Sequence, residues 1–252
     1  MLETVAEVRF DRRGTGSPIW LFHSLLADAG SCAPLADRLR DEFEVFLPDL
    51  PGFGGSAACD PALSTVADRM ADAIRATSGP AAIFGNGYGG FVALTLALRH
   101  PELVTRLILA GTAATFPEAG AAQFRAMQAG ARTKGLTAIA DVAMLRLFPA
   151  DVQSRLPEIM AERRTRFLAT DLDVFTGACG ELADFDLRDR AASLTLPALL
   201  MAGDGDQATP AGLAEQLADL MPNARFKLLD GCAHVPQLQD PDRIAAEIRG
   251  FR

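Results

Sequence analysis

Short apolar runs alternate with amphipathic stretches along most of this chain, and the alternation predicts strands and helices in turn. Strand patterns open it at Thr4 to Phe10 and at Pro18 to Phe22, the second a compact apolar run ahead of a loop, so a hairpin followed by a core strand fits the opening. Ala33 to Phe43 has helical spacing. Glu44 to Pro48 reads as a buried strand ending in the turn-rich run Asp49-Leu-Pro-Gly-Phe-Gly-Gly-Ser56, and a helix follows from about Leu63 to Thr77. The run Ala81 to Phe84 then meets Gly85-Asn-Gly-Tyr-Gly-Gly90 and passes directly into a helical pattern over Phe91 to Arg99, an order of strand, sharp turn and helix. Leu107 to Ala110, Pro197 to Met201 and Arg225 to Leu229 predict further strands, with helices near Ala211 to Leu220 and Pro241 to Phe251.

Strands alternating with helices imply an α/β fold with a mainly parallel, twisted sheet covered by helices on both faces. Between Thr112 and Leu194 the rhythm changes. Helical periodicity recurs over Ala121 to Ala129, Leu136 to Leu147, Ala150 to Leu168 and Asp171 to Leu182 with no strand pattern among them. That predicts a core built from residues 1–113 and 195–252, with 114–194 inserted as a helical cap.

A chain of 252 residues, 49% hydrophobic and 22% charged, has enough apolar surface for one large domain with a sizeable core. Its net charge of −8, with Lys and Arg scattered, disfavours nucleic acid and anionic membranes and points to a small-molecule partner. No basic segment leads into an apolar run at Met1 to Phe10, and no stretch approaches the roughly 18 apolar residues of a membrane span, so a cytoplasmic protein is expected. Oligomeric state is left open. Cys32, Cys59, Cys179 and Cys232 are widely spaced without a C-x-x-C pair, which argues for buried free thiols over zinc or disulfides. Asp204 and Asp206 lack a histidine neighbour and do not make a metal site, and no cofactor is expected.

Three blocks carry a resemblance. They are His23-Ser-Leu-Leu-Ala-Asp28 with Asp49 to Ser56, the turn Gly85 to Gly90, and the pair Gly203-Asp-Gly-Asp-Gln-Ala-Thr-Pro210 with Gly231-Cys-Ala-His-Val235. Along nearly its whole length the chain resembles the α/β-hydrolase superfamily, within it the 3-oxoadipate enol-lactonase-like branch. The resemblance implies an α/β-hydrolase fold in which Gly85 to Gly89 is the nucleophile elbow, a strained turn that lifts its central side chain above the sheet. Here that central residue is Gly87, so the scaffold is present and the hydroxyl is missing. Asp206 matches the triad acid and His234 the general base, in the chain order this fold uses. The amides of Leu25 and Tyr88 match the oxyanion hole, and such donors are each worth about 3 to 4 kcal/mol to a developing oxyanion. His23 matches a residue that braces the oxyanion loop, while His100, before Pro101, reads as a solvated helix end. Arg163, Arg164 and Arg166 in the cap are candidate contacts for a substrate carboxylate, or else a solvated helix face; Ser24 is a candidate substrate contact.

A glycine beside the base offers no nucleophile, so the acyl-enzyme cycle does not run on this sequence. Four readings remain. Water activated by His234 and Asp206 hydrolyses a lactone or ester of a small carbonyl compound, which is the leading one. The dyad instead supports lyase, decarboxylase or cofactor-free oxygenase chemistry; or the capped pocket is a non-catalytic receptor; or Gly87 is an introduced change that disables a serine hydrolase. Substitute nucleophiles at Cys232 or Ser24 are disfavoured, because elbow geometry, not proximity, aims the attack.

Overall fold

The computed structural model describes residues 1–251. Its eight strands are β1 (Leu2–Val5), β2 (Val8–Arg13), β3 (Ser17–Phe22), β4 (Phe43–Pro48), β5 (Ala81–Asn86), β6 (Val104–Ala110), β7 (Ala198–Gly203) and β8 (Ala224–Leu229). They form one sheet in the order β1-β2-β4-β3-β5-β6-β7-β8, antiparallel at the β1/β2 and β2/β4 pairs and parallel from β4 onward. This is the α/β-hydrolase fold.

The central strands are buried on both faces, which is why they read as unbroken apolar runs. Alternate residues serve opposite layers. Ile19 and Leu21 pack with Leu35 and Leu39 of α1 (Ala33–Leu39) and with Ile244 and Ile248 of α11 (Pro241–Gly250). Trp20 and Phe22 face the other cluster, with Val66 and Met70 of α2 (Leu63–Thr77) and Val92 and Leu96 of α3 (Tyr88–Arg99). At roughly 25 cal/mol per Å² of apolar surface, two such layers are what hold the sheet in one register.

Between β6 and β7 run α4 (Glu118–Lys134), α5 (Leu136–Leu147), α6 (Ala150–Arg155), α7 (Pro157–Leu168) and α8 (Leu172–Asp184). The chain leaves and returns at one neck, where Leu187 N–H donates to Ala114 O at 2.8 Å beside the bridge of Thr115 with Asp186. After β7 come α9 (Ala211–Leu220) and, ahead of α11, the short α10 (Pro236–Gln239). Among the described residues no helix is long and apolar enough to cross a membrane.

Three expected elements differ. Thr4 to Phe10 is not one strand: Ala6 and Glu7 take φ of 48° and 63°, a two-residue reversal that pairs Val5 with Val8. Neither residue carries a turn signal, and Glu7 is held from outside, by Ala57 N–H on its carbonyl and by Arg69 on its carboxylate. The helix from Ala33 stops at Leu39 because Phe43 and Glu44 are claimed by the parallel ladder with Ser17 and Pro18. Ala150 to Leu168 is two helices, since Pro157 supplies no N–H and restricts Leu156, whose ψ of 48° ends α6.

Candidate active site

Strand β5 ends at Asn86, helix α3 begins at Tyr88, and Gly87 makes the turn with φ 50° and ψ −119°, a conformation L-residues rarely adopt. The turn is tight on both flanks: a Cβ on Gly85 would stand 2.6 Å from Gly89 O, and one on Gly89 would stand 2.5 Å from Phe22 O. The first turn of α3 is thereby brought against β3 and its loop, and Gly89 N–H donates to His23 O at 3.0 Å.

From the opposite side comes His234. Its Nδ1 lies 2.9 Å from Asp206 Oδ2, and the other carboxylate oxygen accepts from the amides of Ala208 and Thr209, each at 2.8 Å. Both residues are buried. A carboxylate held by three hydrogen bonds fixes the imidazole with its proton on Nδ1 and leaves Nε2 free to accept one. Nε2 faces the elbow: a Cβ on Gly87 would stand 2.8 Å from it and 2.8 Å from Ser24 Oγ. The ring and the serine hydroxyl thus converge on the space that a nucleophile's side chain would fill.

Ser24, Leu25, Gly87, Tyr88 and His234 line a cavity of about 20 Å³ whose remaining walls are mostly apolar, from Leu26, Phe91, Phe116, Phe124, Met127 and Leu182. A space of that size holds about one water. Among the described residues the N–H groups of Leu25 and Tyr88 donate to no backbone or side-chain acceptor, so both remain available to a ligand oxygen.

His23 is fully buried beneath this loop, receiving Leu50 N–H at Nε2 (3.0 Å) and lying 2.9 Å from Ser24 O through Nδ1. Burial holds its pKa below the usual histidine value, so it stays neutral, with Nδ1 as donor. His100 is half-buried and bonded to Asp68 at 2.7 Å. Asp204 turns away from Asp206 to accept Gly231 N–H at 2.8 Å. Cys232, two residues before the dyad histidine, is packed in the apolar cluster behind the sheet, and burial pushes its thiol pKa up.

Arg163 has neither of its expected places. It is buried, its side chain 2% exposed, and pairs with Asp28 Oδ1 at 2.6 Å and Glu162 Oε1 at 2.7 Å, outside the cavity lining. Helix α7 packs this guanidinium onto the loop that carries Leu25, so it fastens cap to loop. Arg164 pairs with Asp141, and Arg166 reaches Asp28 Oδ2 at 3.4 Å. The arginine that does line the cavity is Arg146 of α5.

Sequence reasoning also missed Asn86. Fully buried beside the elbow, it donates to His234 O at 2.7 Å and Ala110 O at 3.1 Å and accepts from Gln237 Nε2 at 3.0 Å. It ties the turn to the segment that carries the base. The available signal was a lone amide directly after a run of apolar strand residues.

Residues 17–241 match the family model of the alpha/beta hydrolase fold. The chain belongs to that family. This hydrolase-fold chain is 34% identical over 226 residues to a pimeloyl-(acyl-carrier protein) methyl ester esterase of Aromatoleum aromaticum, covering 85% of this chain and 89% of the relative. The enol-lactonase from Burkholderia xenovorans LB400 superposes with a TM-score of 0.90 at 26% identity, over 100% of this chain and 99% of that one. A hydrolase from Pseudomonas aeruginosa shares the fold at TM-score 0.92 and 23% identity, over 99% and 97% of the two chains.

Proposed function

We propose that the protein hydrolyses an ester or lactone of a small carbonyl compound, using water activated by His234 and Asp206 over Gly87. One observation carries the reading: Nε2 of a histidine already clamped by a buried carboxylate lies 2.8 Å from the position of the absent side-chain carbon, inside a cavity of one-water size. Ester and lactone hydrolysis are the reactions for which the Aromatoleum and Burkholderia relatives are named.

In this scheme the water sits farther from Gly87 than a bonded carbon would, between Ser24 Oγ and Nε2. His234 takes its proton as the oxygen attacks the carbonyl, and Asp206 stabilises the resulting imidazolium. The carbonyl oxygen becomes an oxyanion held by the amides of Leu25 and Tyr88. Collapse of the tetrahedral species expels the alkoxide, which receives the proton back from Nε2. Asn86 fixes the height of the histidine segment over the elbow.

The test is turnover of methyl esters, aryl esters and enol-lactones by the protein, by His234→Ala and by Gly87→Ser, with intact-protein mass spectra taken during turnover. Hydrolysis by the unmodified chain, lost in His234→Ala and without an acyl adduct, is the expected result. Failure to hydrolyse any of them, or a large gain with an acyl burst in Gly87→Ser alone, overturns it.

A further inference from the structure

The loop over the elbow is fastened at two ends. At its start His23 Nδ1 lies 2.9 Å from Ser24 O, and Ala27 N–H donates to the same carbonyl at 3.2 Å. At its end Asp28 O accepts from Ser31 N–H at 3.0 Å and from the Ser31 hydroxyl at 2.8 Å, which leads the chain into the 3-10 turn Ala29–Cys32. The Asp28 carboxylate takes no part in capping that turn. Among the described residues its ion-pair partners are two cations of α7, Arg163 at 2.6 Å and Arg166 at 3.4 Å. The core therefore holds the backbone of residue 28, and the cap holds its side chain.

Arg163 is the stronger of the two partners. Its side chain is 2% exposed, against 57% for Arg166, so its charge is hardly screened. Gly30 leaves it room: a Cβ there would stand 3.3 Å from Nη2 and 3.1 Å from Asp28 Oδ1. The pairing is nonetheless incomplete, because Nε is buried without an acceptor and the second carboxylate, that of Glu162, is 56% exposed. A buried pair of this kind is a poor source of stability, since well-packed apolar side chains of similar size do as well or better. What the pair supplies and an apolar contact does not is direction, because a guanidinium fork meets a carboxylate in few orientations. That constraint is applied three residues from Leu25, whose unpaired N–H belongs to the proposed oxyanion hole.

We infer that Asp28 and Arg163 are positioning residues for the reaction: docking of the cap draws Asp28 onto α7 and sets the Leu25 amide at the height of the oxyanion, so that the hole is complete only under a closed cap. The inference rests on the hydrolytic reading for the use made of that amide. An ester that arrives before closure meets the Tyr88 N–H alone. One oxyanion donor is worth about 10²- to 10³-fold in turnover, and a donor merely displaced forfeits part of that, about 10- to 100-fold.

Asp28→Asn and Arg163→Lys each weaken the pair at nearly constant size. The assay compares an aryl ester with its thiono counterpart, whose sulfur replaces the carbonyl oxygen and accepts amide hydrogen bonds poorly. The unmodified protein is expected to prefer the oxygen ester strongly. In the variants, shown to be folded by circular dichroism, kcat on the oxygen ester should fall by about 10- to 100-fold with KM changed by less than about threefold, and the preference for oxygen over sulfur should shrink in step. Should one variant fail to fold, the other carries the comparison. An unchanged kcat, a loss carried by KM, or a loss equal for the two esters overturns the assignment. If the unmodified protein turns over no ester, the hydrolytic reading falls, and amide hydrogen exchange at Ala27 and Ser31 decides the positioning: exchange about tenfold faster in the variants keeps it, and unchanged exchange overturns it.

Discussion

Gly87→Ala adds one carbon and no chemistry, at the position where the proposed water must work. The new Cβ would begin 2.8 Å from His234 Nε2, 2.8 Å from Ser24 Oγ and 3.3 Å from His234 Cε1. Ordinary contact starts near 3.4 Å, so the ring and the hydroxyl each have to retreat by about 0.6 Å. Ser24 does this by rotating. His234 cannot do it freely, because Nδ1 is 2.9 Å from a carboxylate itself pinned by two amides. A φ of 50° with a Cβ present adds about 1 to 3 kcal/mol of backbone strain. Denaturant unfolding should therefore show a loss of about 1 to 3 kcal/mol with an unchanged slope. A displacement of about 0.6 Å at the reacting centre, together with a methyl group in a cavity of about 20 Å³, should lower kcat/KM by about 10- to 100-fold. Steady-state hydrolysis of an aryl ester, measured on protein shown to be folded, reads the second number. A folded Gly87→Ala protein with undiminished activity would refute the reasoning, because no water could then be acting between Gly87 and His234.

Asp206→Asn keeps the shape but loses the ionised acceptor that orders the imidazole, and kcat should fall by about 10³-fold with little change in unfolding free energy. Asn86→Ala leaves the buried carbonyl of His234 without its donor, while Ala110 O keeps Gly87 N–H at 2.9 Å, and should cost about 1 to 3 kcal/mol in denaturant unfolding, with kcat reduced more than KM is raised. His23, held neutral by burial, has a folded pKa below its unfolded value near 6.5, so the unfolded chain binds the extra proton first. Stability contributed this way is present above that value and is lost as pH falls through it, at up to about 1.4 kcal/mol per pH unit; chemical denaturation between pH 7 and pH 5 should show the slope in the unmodified protein and lose it in His23→Gln. Arg163→Met leaves Asp28 without its main partner under the cap and should destabilise the fold by about 3 kcal/mol, read by thermal unfolding.

Elements whose pattern is set by their own burial were legible in the chain. Helix α2 spans Leu63 to Thr77 as its spacing predicts, because Leu63, Val66, Met70 and Ile74 form one stripe against the sheet. The central parallel strands announced themselves as apolar runs for the reason already given, whereas β8, at the sheet edge, carries Arg225 and Lys227 on a half-exposed strand. Elements set by other segments were hidden: the reversal at Ala6 and Glu7 depends on Ala57 and Arg69, and the end of α1 depends on the register of β3. The same division holds at the site. Gly87, Asp206 and His234 carry local signatures of turn and spacing, and the structure brings Gly87 and His234 together with Ser24, Leu25 and Tyr88 around one cavity, with Asp206 behind the histidine ring. Which of the cap arginines points inward depends on how α4, α5 and α7 lean on the core. Spacing within one helix does not report that, so Arg146, which sequence reasoning did not single out, lines the cavity and the candidate Arg163 does not.

The insertion between β6 and β7 leaves and rejoins the core within a few ångströms, sealed by one backbone hydrogen bond from Leu187 to Ala114. Chains that depart and return at a single point impose almost no tether on what lies between, so replacing everything above that seam changes the specificity of the reaction chamber without shifting any strand pairing below it. Other bonds cross the seam, Leu63 N–H to Glu181 Oε2 at 2.8 Å and Arg146 to Ala208 O at 3.4 Å, but the one that bears on the loop over the site belongs to Asp28. Its bond to Arg163 crosses from one module to the other, and a grafted lid without an equivalent cation would free the very loop whose amide at Leu25 faces the reacting carbonyl.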